Sequence, residues 1–106
     1  MGFLDFLHRP GLEEGLAQYQ ATPGAVLLDV RTPEEYAAGH LPGSRNLPLQ
    51  QLDEADDRLP SPDTPIFVYC RSGARSGQAA LMLRQMGFAQ VENIGGLLSY
   101  HGRLEH

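Results

Sequence analysis

Two stretches of the chain are almost continuously apolar and rich in branched or aromatic residues: "AVLLDV" at 25–30 and "IFVYC" at 66–70. Runs of this kind predict strands buried on both faces. Elsewhere the apolar positions recur at helical spacing. Leu12, Gly15, Leu16 and Tyr19, with Glu13 and Glu14 in the first turn, predict a short helix over Leu12–Gln20. Ala79, Met82, Leu83 and Met86 form one stripe, with Gln78, Arg84 and Gln85 off it and Gly87 placed to end the helix. "ATPGA" breaks the first helix. Thr32, Pro33 and Glu35 give the N-cap, first-position proline and third-position carboxylate of another helix start. A Gly/Pro-punctuated loop follows, with a short strand near Arg45–Leu47 and a short helix from Leu49 to about Asp56. "RLPSPDTP" is loop, "VENI" a weak strand, and "GGLLSYHG" either starts a last helix or ends the fold. Apolar strands alternating with helices predict an α/β domain: a mainly parallel central sheet flanked by helices on both faces.

Length and composition fit one such domain. The 106 residues bury a single core without staples, and 42% hydrophobic with 20% charged residues excludes disordered and fibrous classes. We expect one domain over 1–106: an N-terminal helix and lead-in (1–23), a core (24–100), and an end, Leu104–His106, that reads either as native or as the stump of an expression tag. The net charge of −5 argues against nucleic acid as a partner. All eight cationic side chains are arginine, so no lysine is available for Schiff-base chemistry. The opening "MGFLDFLHRPGL" lacks a cationic n-region, carries Asp5 and His8 inside its apolar run, and has Phe6 where myristoylation needs Ser or Thr. Neither a signal peptide nor a membrane span is expected, and the cytoplasm is the expected location. Phe3, Leu4, Phe6 and Leu7 are expected to pack on the core or on another subunit.

The single cysteine, Cys70, ends the second apolar run and opens "CRSGARS". One cysteine makes no internal disulfide, and a lone free thiol fits a reducing compartment. In an open parallel sheet, sites lie outside the carboxyl ends of strands, where loops entering helices turn backbone N–H groups toward an anion. Gly73 supplies backbone freedom, Arg71 and Arg75 add two cations, and Ser72 and Ser76 offer hydroxyl donors, Ser76 doubling as a helix cap. An ordinary cysteine is only about 3% ionised at pH 7, and lowering its pKa by about two units needs roughly 2.7 kcal/mol of differential stabilisation. A helix end with nearby arginines reaches that range. A lone cysteine also serves as apolar core filler; its place at a strand exit beside "RSGAR" favours a nucleophile.

These residues also carry a resemblance. "LLDVRTPEEYAAGHLPGSRNLPL" followed by "IFVYCRSGARSGQAALMLRQMGFAQVENIGGLLSY" resembles the rhodanese-like domains in their small single-domain form, over roughly Gly24 to Tyr100. The resemblance implies sulfur transfer. Cys70 would attack the sulfane sulfur of a small anionic donor such as thiosulfate or a persulfide, become a persulfide, and pass the sulfur to cyanide or a thiol. The acceptor could equally be a thioredoxin-like or sulfur-trafficking protein. The amides of Arg71, Ser72, Gly73, Ala74, Arg75 and Ser76 would cradle the outer sulfur or leaving anion, with Arg71 and Arg75 orienting the donor. Phosphatases and arsenate reductases of the same fold space their pair as C-x5-R, whereas Cys70 and Arg75 are spaced C-x4-R and Tyr69 replaces the preceding histidine. A phosphoryl group needs the wider ring.

Three further residues stay open. Asp29 and Arg31 either frame the site or form an internal pair that orders their loop; His40, in "GHLPG", is either a base or a hydrogen-bonded structural histidine. Tyr100 falls where many relatives carry tryptophan, implying packing against the last helix, and the short C-terminus leaves open what covers that side of the core. No metal-ligand spacing and no dinucleotide or Walker loop is present, so no metal or cofactor is implied. A persulfide carrier or sensor without turnover, and a protein-binding domain without chemistry, are the other function classes.

Overall fold

The structure, a computed structural model, describes residues 11–106; the apolar Phe3, Leu4, Phe6 and Leu7 lie outside the described residues. The elements are α1 (Leu12–Gln20), β1 (Val26–Asp29), α2 (Pro33–Ala38), β2 (Arg45–Asn46), a 3₁₀ turn (Leu49–Glu54) running into α3 (Ala55–Arg58), β3 (Ile66–Cys70), α4 (Ala74–Gln85), β4 (Val91–Gly96) and a closing 3₁₀ turn (Leu97–Ser99). The strands form one parallel sheet in the order β2-β1-β3-β4. The two apolar runs are therefore its central pair, and every residue of both strands is buried.

Alternation along β1 and β3 splits the core in two. Val26, Leu28, Ile66, Val68 and Cys70 point to one face, where Ala79, Ala80 and Leu83 of α4 meet Leu52, Ala55 and Leu59. Leu27, Phe67 and Tyr69 point to the other, covered by Leu12 and Leu16 of α1 together with Leu41, Leu97, Tyr100 and Leu104. Residues after β4 thus share with α1 the face whose cover the sequence left open. Gly15 allows α1 its close approach, because a Cβ there would collide with Ile94.

Two expectations need correction, and one left open is decided. Met82 is not in the buried stripe of α4: it is exposed, and Ser76, Ala79, Ala80 and Leu83 make the contact face. "GG" does not start a helix. Both glycines finish β4, where the register against β3 shifts between Val68 and Tyr69, leaving Ile94 as the extra residue of a bulge. Only a 3₁₀ turn follows, so Tyr100 packs into the α1-side core rather than against a last helix.

Candidate functional site

The site grows from the carboxyl end of β3. Cys70 is the last residue of that strand and is wholly buried at 0% exposure. Burial alone would suit a filler, but the sulfur's neighbours are polar. The amide of Gly73 donates to Sγ at 3.0 Å, and Ser76 brings its amide and hydroxyl to 3.4 Å each. Burial pushes the thiol pKa up; the Ser76 hydroxyl and the amides of Ser76, Gly73 and Ser72 outweigh it, so the net shift is downward. The arrangement stabilises a negative charge on sulfur inside a largely apolar wall.

Gly73 makes the tight return possible. Its φ of +100° lies in the left-handed region, and it stands as N-cap of α4. The helix therefore begins inside "CRSGARS", earlier than the cysteine loop implied, and Ser76 falls in the first turn rather than at the cap. The sulfur sits at the amino end of a 12-residue helix.

β4 forms the other wall of the loop. A Cβ on Gly96 would collide with the Arg71 carbonyl and the Ser72 carbonyl carbon, and the Leu98 amide donates to the Arg71 carbonyl at 3.1 Å. Holding the carbonyl outward turns the following amides toward the sulfur. Gly95, at φ +104°, completes the bulge. Asn93 then reaches the loop directly: its Nδ2 donates to the Gly73 carbonyl at 3.3 Å, and its Oδ1 accepts from the Ser76 hydroxyl at 2.7 Å and the Gly95 amide at 3.0 Å.

The two arginines of the loop differ. Arg71 is exposed. Arg75 does not stand free to orient a donor, as the sequence led us to expect: its Nη1 and Nη2 donate to Glu35 Oε1 and Oε2 at 2.6 and 3.0 Å. Glu35 already closes the capping box of α2, accepting the Thr32 amide at 3.0 Å while its own amide donates to Thr32 Oγ1 at 3.2 Å. The Arg75 guanidinium holds the Glu35 carboxyl down at about 2 against the cost of partial burial.

Asp29 and Arg31 form an internal pair. Arg31 Nη2 donates to Asp29 Oδ2 at 2.6 Å and to the Gly39 carbonyl at 2.7 Å, and Nε donates to both Asp29 oxygens at 3.0 Å. Both side chains are buried, so the pair ties β1 to the end of α2 at a position where losing either partner would strand a charge. His40 donates from Nδ1 to the Tyr36 carbonyl at 2.8 Å and stacks on the Tyr36 ring with centroids 3.7 Å apart. None of the hydrogen bonds of these three residues ends on the sulfur. The Tyr69 hydroxyl, beside the cysteine in sequence but on the opposite face, donates to Ser44 Oγ and accepts the Leu41 amide, tying the "GHLPGS" loop to β3.

Sequence reasoning missed Asn93 and the second role of Glu35. Asn93 gave no signal that set it apart from its neighbour Glu92, since both are polar residues between the hydrophobic Val91 and Ile94. Glu35 gave none beyond its cap. Among the described residues no group of three or more His, Cys, Asp or Glu could hold a metal ion, and no helix is long and apolar enough to cross a membrane.

A parallel α/β sheet presenting a single thiol in a ring of amides at a strand-to-helix turn defines a class of thiolate loop domain. Within it, the rhodanese-like domain profile matches residues 12–102, and the chain belongs to that family. It is similar to the thiosulfate sulfurtransferase PspE of Escherichia coli (42% identical over 71 residues, 66% of this chain and 68% of the relative). It is also similar to a sulfurtransferase of Allochromatium vinosum (40% over 93 residues, 84% and 86%). Among solved structures, an E. coli rhodanese with anions superposes at a TM-score of 0.67 with 39% identity, over 72% of this chain and 91% of the other. The chain spans 64% of the length of another relative, the uncharacterized YqhL of Bacillus subtilis.

Proposed function

We propose that the chain is a sulfurtransferase that carries sulfane sulfur on Cys70. The observation that carries this reading is the convergence of the Gly73 amide and the Ser76 amide and hydroxyl on the buried Sγ, in a loop of C-x4-R spacing. In the first half-reaction the Cys70 thiolate attacks the outer sulfur of thiosulfate or another sulfane donor. The donor's S–S bond breaks, and the leaving group, sulfite from thiosulfate, departs with the electron pair. The product is a Cys70 persulfide whose terminal sulfur is held by the same donors. In the second half-reaction cyanide or a thiolate attacks that terminal sulfur, and Cys70 leaves as thiolate. Two covalent half-reactions predict ping-pong kinetics.

Supporting this reading are the family, the relatives named sulfurtransferases, and the lowered thiol pKa. Loop length argues against phosphoryl or arsenate chemistry. The tight return at Gly73 sets the amides around one sulfur atom, and Tyr69, which precedes the cysteine, is turned to the other core. The donor is a small anion and the acceptor a thiol, cyanide or a thioredoxin-like or sulfur-trafficking protein; a reducing compartment such as the cytoplasm keeps the thiol free.

The test pairs thiosulfate:cyanide turnover with intact-protein mass spectrometry. The wild type should turn over and gain the mass of one sulfur atom, and Cys70→Ser should do neither. Persulfide formation without turnover would move the reading to a sulfur carrier. A wild type matching Cys70→Ser in both assays would end it.

A further inference from the structure

The loop contact that reaches furthest along the chain is Glu35 on Arg75, 40 residues apart in sequence, with Nη1 and Nη2 of the guanidinium both engaged. Glu35 is fixed by its capping box, so its carboxylate is delivered to the loop by the start of α2. The two side chains are about equally exposed, 33% for Arg75 and 31% for Glu35, which leaves their charges open to an approaching solute.

We propose that Glu35 is a specificity-determining residue: by neutralising Arg75 it selects sulfane donors of single negative charge, organic persulfides and thiosulfonates, over dianionic thiosulfate. This rests on the sulfurtransferase reading. The charges around the loop decide it. Arg75 is paired with Glu35, Arg31 is paired with Asp29, and among the described residues the exposed Arg71 is the arginine of the loop that stands outside an ion pair. The chain as a whole carries −5. A donor anion is therefore drawn in by amide dipoles and one cation rather than by a surplus of positive charge. Coulomb energy scales with the solute's charge, so any added unit of protein charge acts on a dianion as the square of its effect on a monoanion. At an effective dielectric constant of about 50, between bulk water and a protein surface, one unit at roughly 10 Å is worth about threefold for a monoanion and so about tenfold for a dianion.

Glu35→Gln removes the negative charge while keeping an N3 amide oxygen for the Thr32 amide, as capping boxes accept Gln as well as Glu. Arg75→Gln gives the opposite change. The first readout needs no sulfur transfer: the ratio of Cys70 alkylation rates by iodoacetate and by neutral iodoacetamide, in which thiolate content cancels. At about 10 mM ionic strength, where screening is weak, this ratio should rise about threefold in Glu35→Gln and fall by a similar factor in Arg75→Gln. The second readout is the rate of Cys70 persulfide formation from thiosulfate relative to methanethiosulfonate, which differ by one charge. The thiolate attacks the outer sulfur of either, with sulfite or methanesulfinate leaving with the electron pair. That ratio should also rise about threefold in Glu35→Gln. Ratios that stay put, or that move together in the two variants, overturn the proposal while leaving the sulfurtransferase reading intact. If the alkylation ratios shift but neither donor loads the wild type, the sulfurtransferase reading falls and the donor assignment with it.

Discussion

The Ser76 hydroxyl has one proton and several acceptors within reach. Asn93 Oδ1 lies at 2.7 Å, the Gly73 carbonyl at 3.1 Å and Cys70 Sγ at 3.4 Å. Against a neutral thiol the shorter bond to Asn93 wins. Against a thiolate the charged acceptor wins, because a hydrogen bond to a charged group contributes about 1.5–3 kcal/mol whereas a neutral one contributes about 1 kcal/mol. The hydroxyl therefore follows the charge, and its net worth to the thiolate is the difference, about 1 kcal/mol. Ser76→Ala deletes that donor and should raise the Cys70 pKa by about 0.7 unit, since one unit corresponds to 1.36 kcal/mol. Asn93→Ala deletes the competitor instead. The hydroxyl then serves the sulfur at no expense elsewhere, and the pKa should fall by a similar amount.

The pH dependence of iodoacetamide alkylation measures both shifts, with the ultraviolet absorbance of the thiolate as an independent titration. Opposite shifts from two neighbouring truncations are hard to obtain from general loosening, which would move both variants the same way. An unmoved midpoint in Ser76→Ala, or an upward shift in Asn93→Ala, refutes the assignment of the hydroxyl as the switching donor.

Two further outcomes follow from the walls of the loop. Gly96→Ala places a Cβ against the Arg71 carbonyl, and backbone cannot yield as a side-chain tip can; thermal unfolding should show a loss of about 1–3 kcal/mol, and Cys70 alkylation should slow as the amides are pushed out of line. The Arg75 guanidinium holds the Glu35 carboxyl at about 2 in the folded chain, below its ordinary 4.5, so folding depletes its protons and stability must rise with pH across that interval. The stabilisation from the Arg75 pair is fully present above about pH 4.5 and lost as the pH falls toward 2. Discounted for solvent screening it is worth about 1 kcal/mol, and the stability gap between wild type and Glu35→Gln should close over that window. A gap independent of pH would show that the pair contributes through packing alone.

Legibility in the sequence followed the range of the interactions involved. β1 and β3 were readable because burial on both faces leaves no polar alternation, and α2 because its cap is written in four consecutive residues, Thr32 to Glu35. The thiol, Gly73 and the turn into α4 were readable for the same local reason. Sequence-distant contacts were not. Met82 looked like core from periodicity, but the contact stripe of α4 is set by where the sheet lies, and it runs through Ser76, Ala79, Ala80 and Leu83. Arg75 looked like a free cation because its carboxylate comes from 40 residues away. Whether "GG" starts a helix or ends the fold stayed open because nothing local reveals that the Arg71 carbonyl will press against Gly96.

The long-range contacts that escaped the sequence divide the control of the thiol between two independent parts of the fold. β4 acts through geometry: Gly96 seats the Arg71 peptide, and Asn93 holds the Gly73 carbonyl and competes for the Ser76 proton, so changes there alter how strongly the sulfur is held as an anion. α2 acts through charge: Glu35 makes no contact with the sulfur, yet it governs the field of the cation in the loop. Asn93→Ala and Glu35→Gln should therefore combine almost additively. The first should shift the pH midpoint of alkylation and leave the iodoacetate-to-iodoacetamide ratio nearly fixed, and the second should move mainly the ratio. The two side chains share no hydrogen-bond partner, one of the conditions under which additivity is expected.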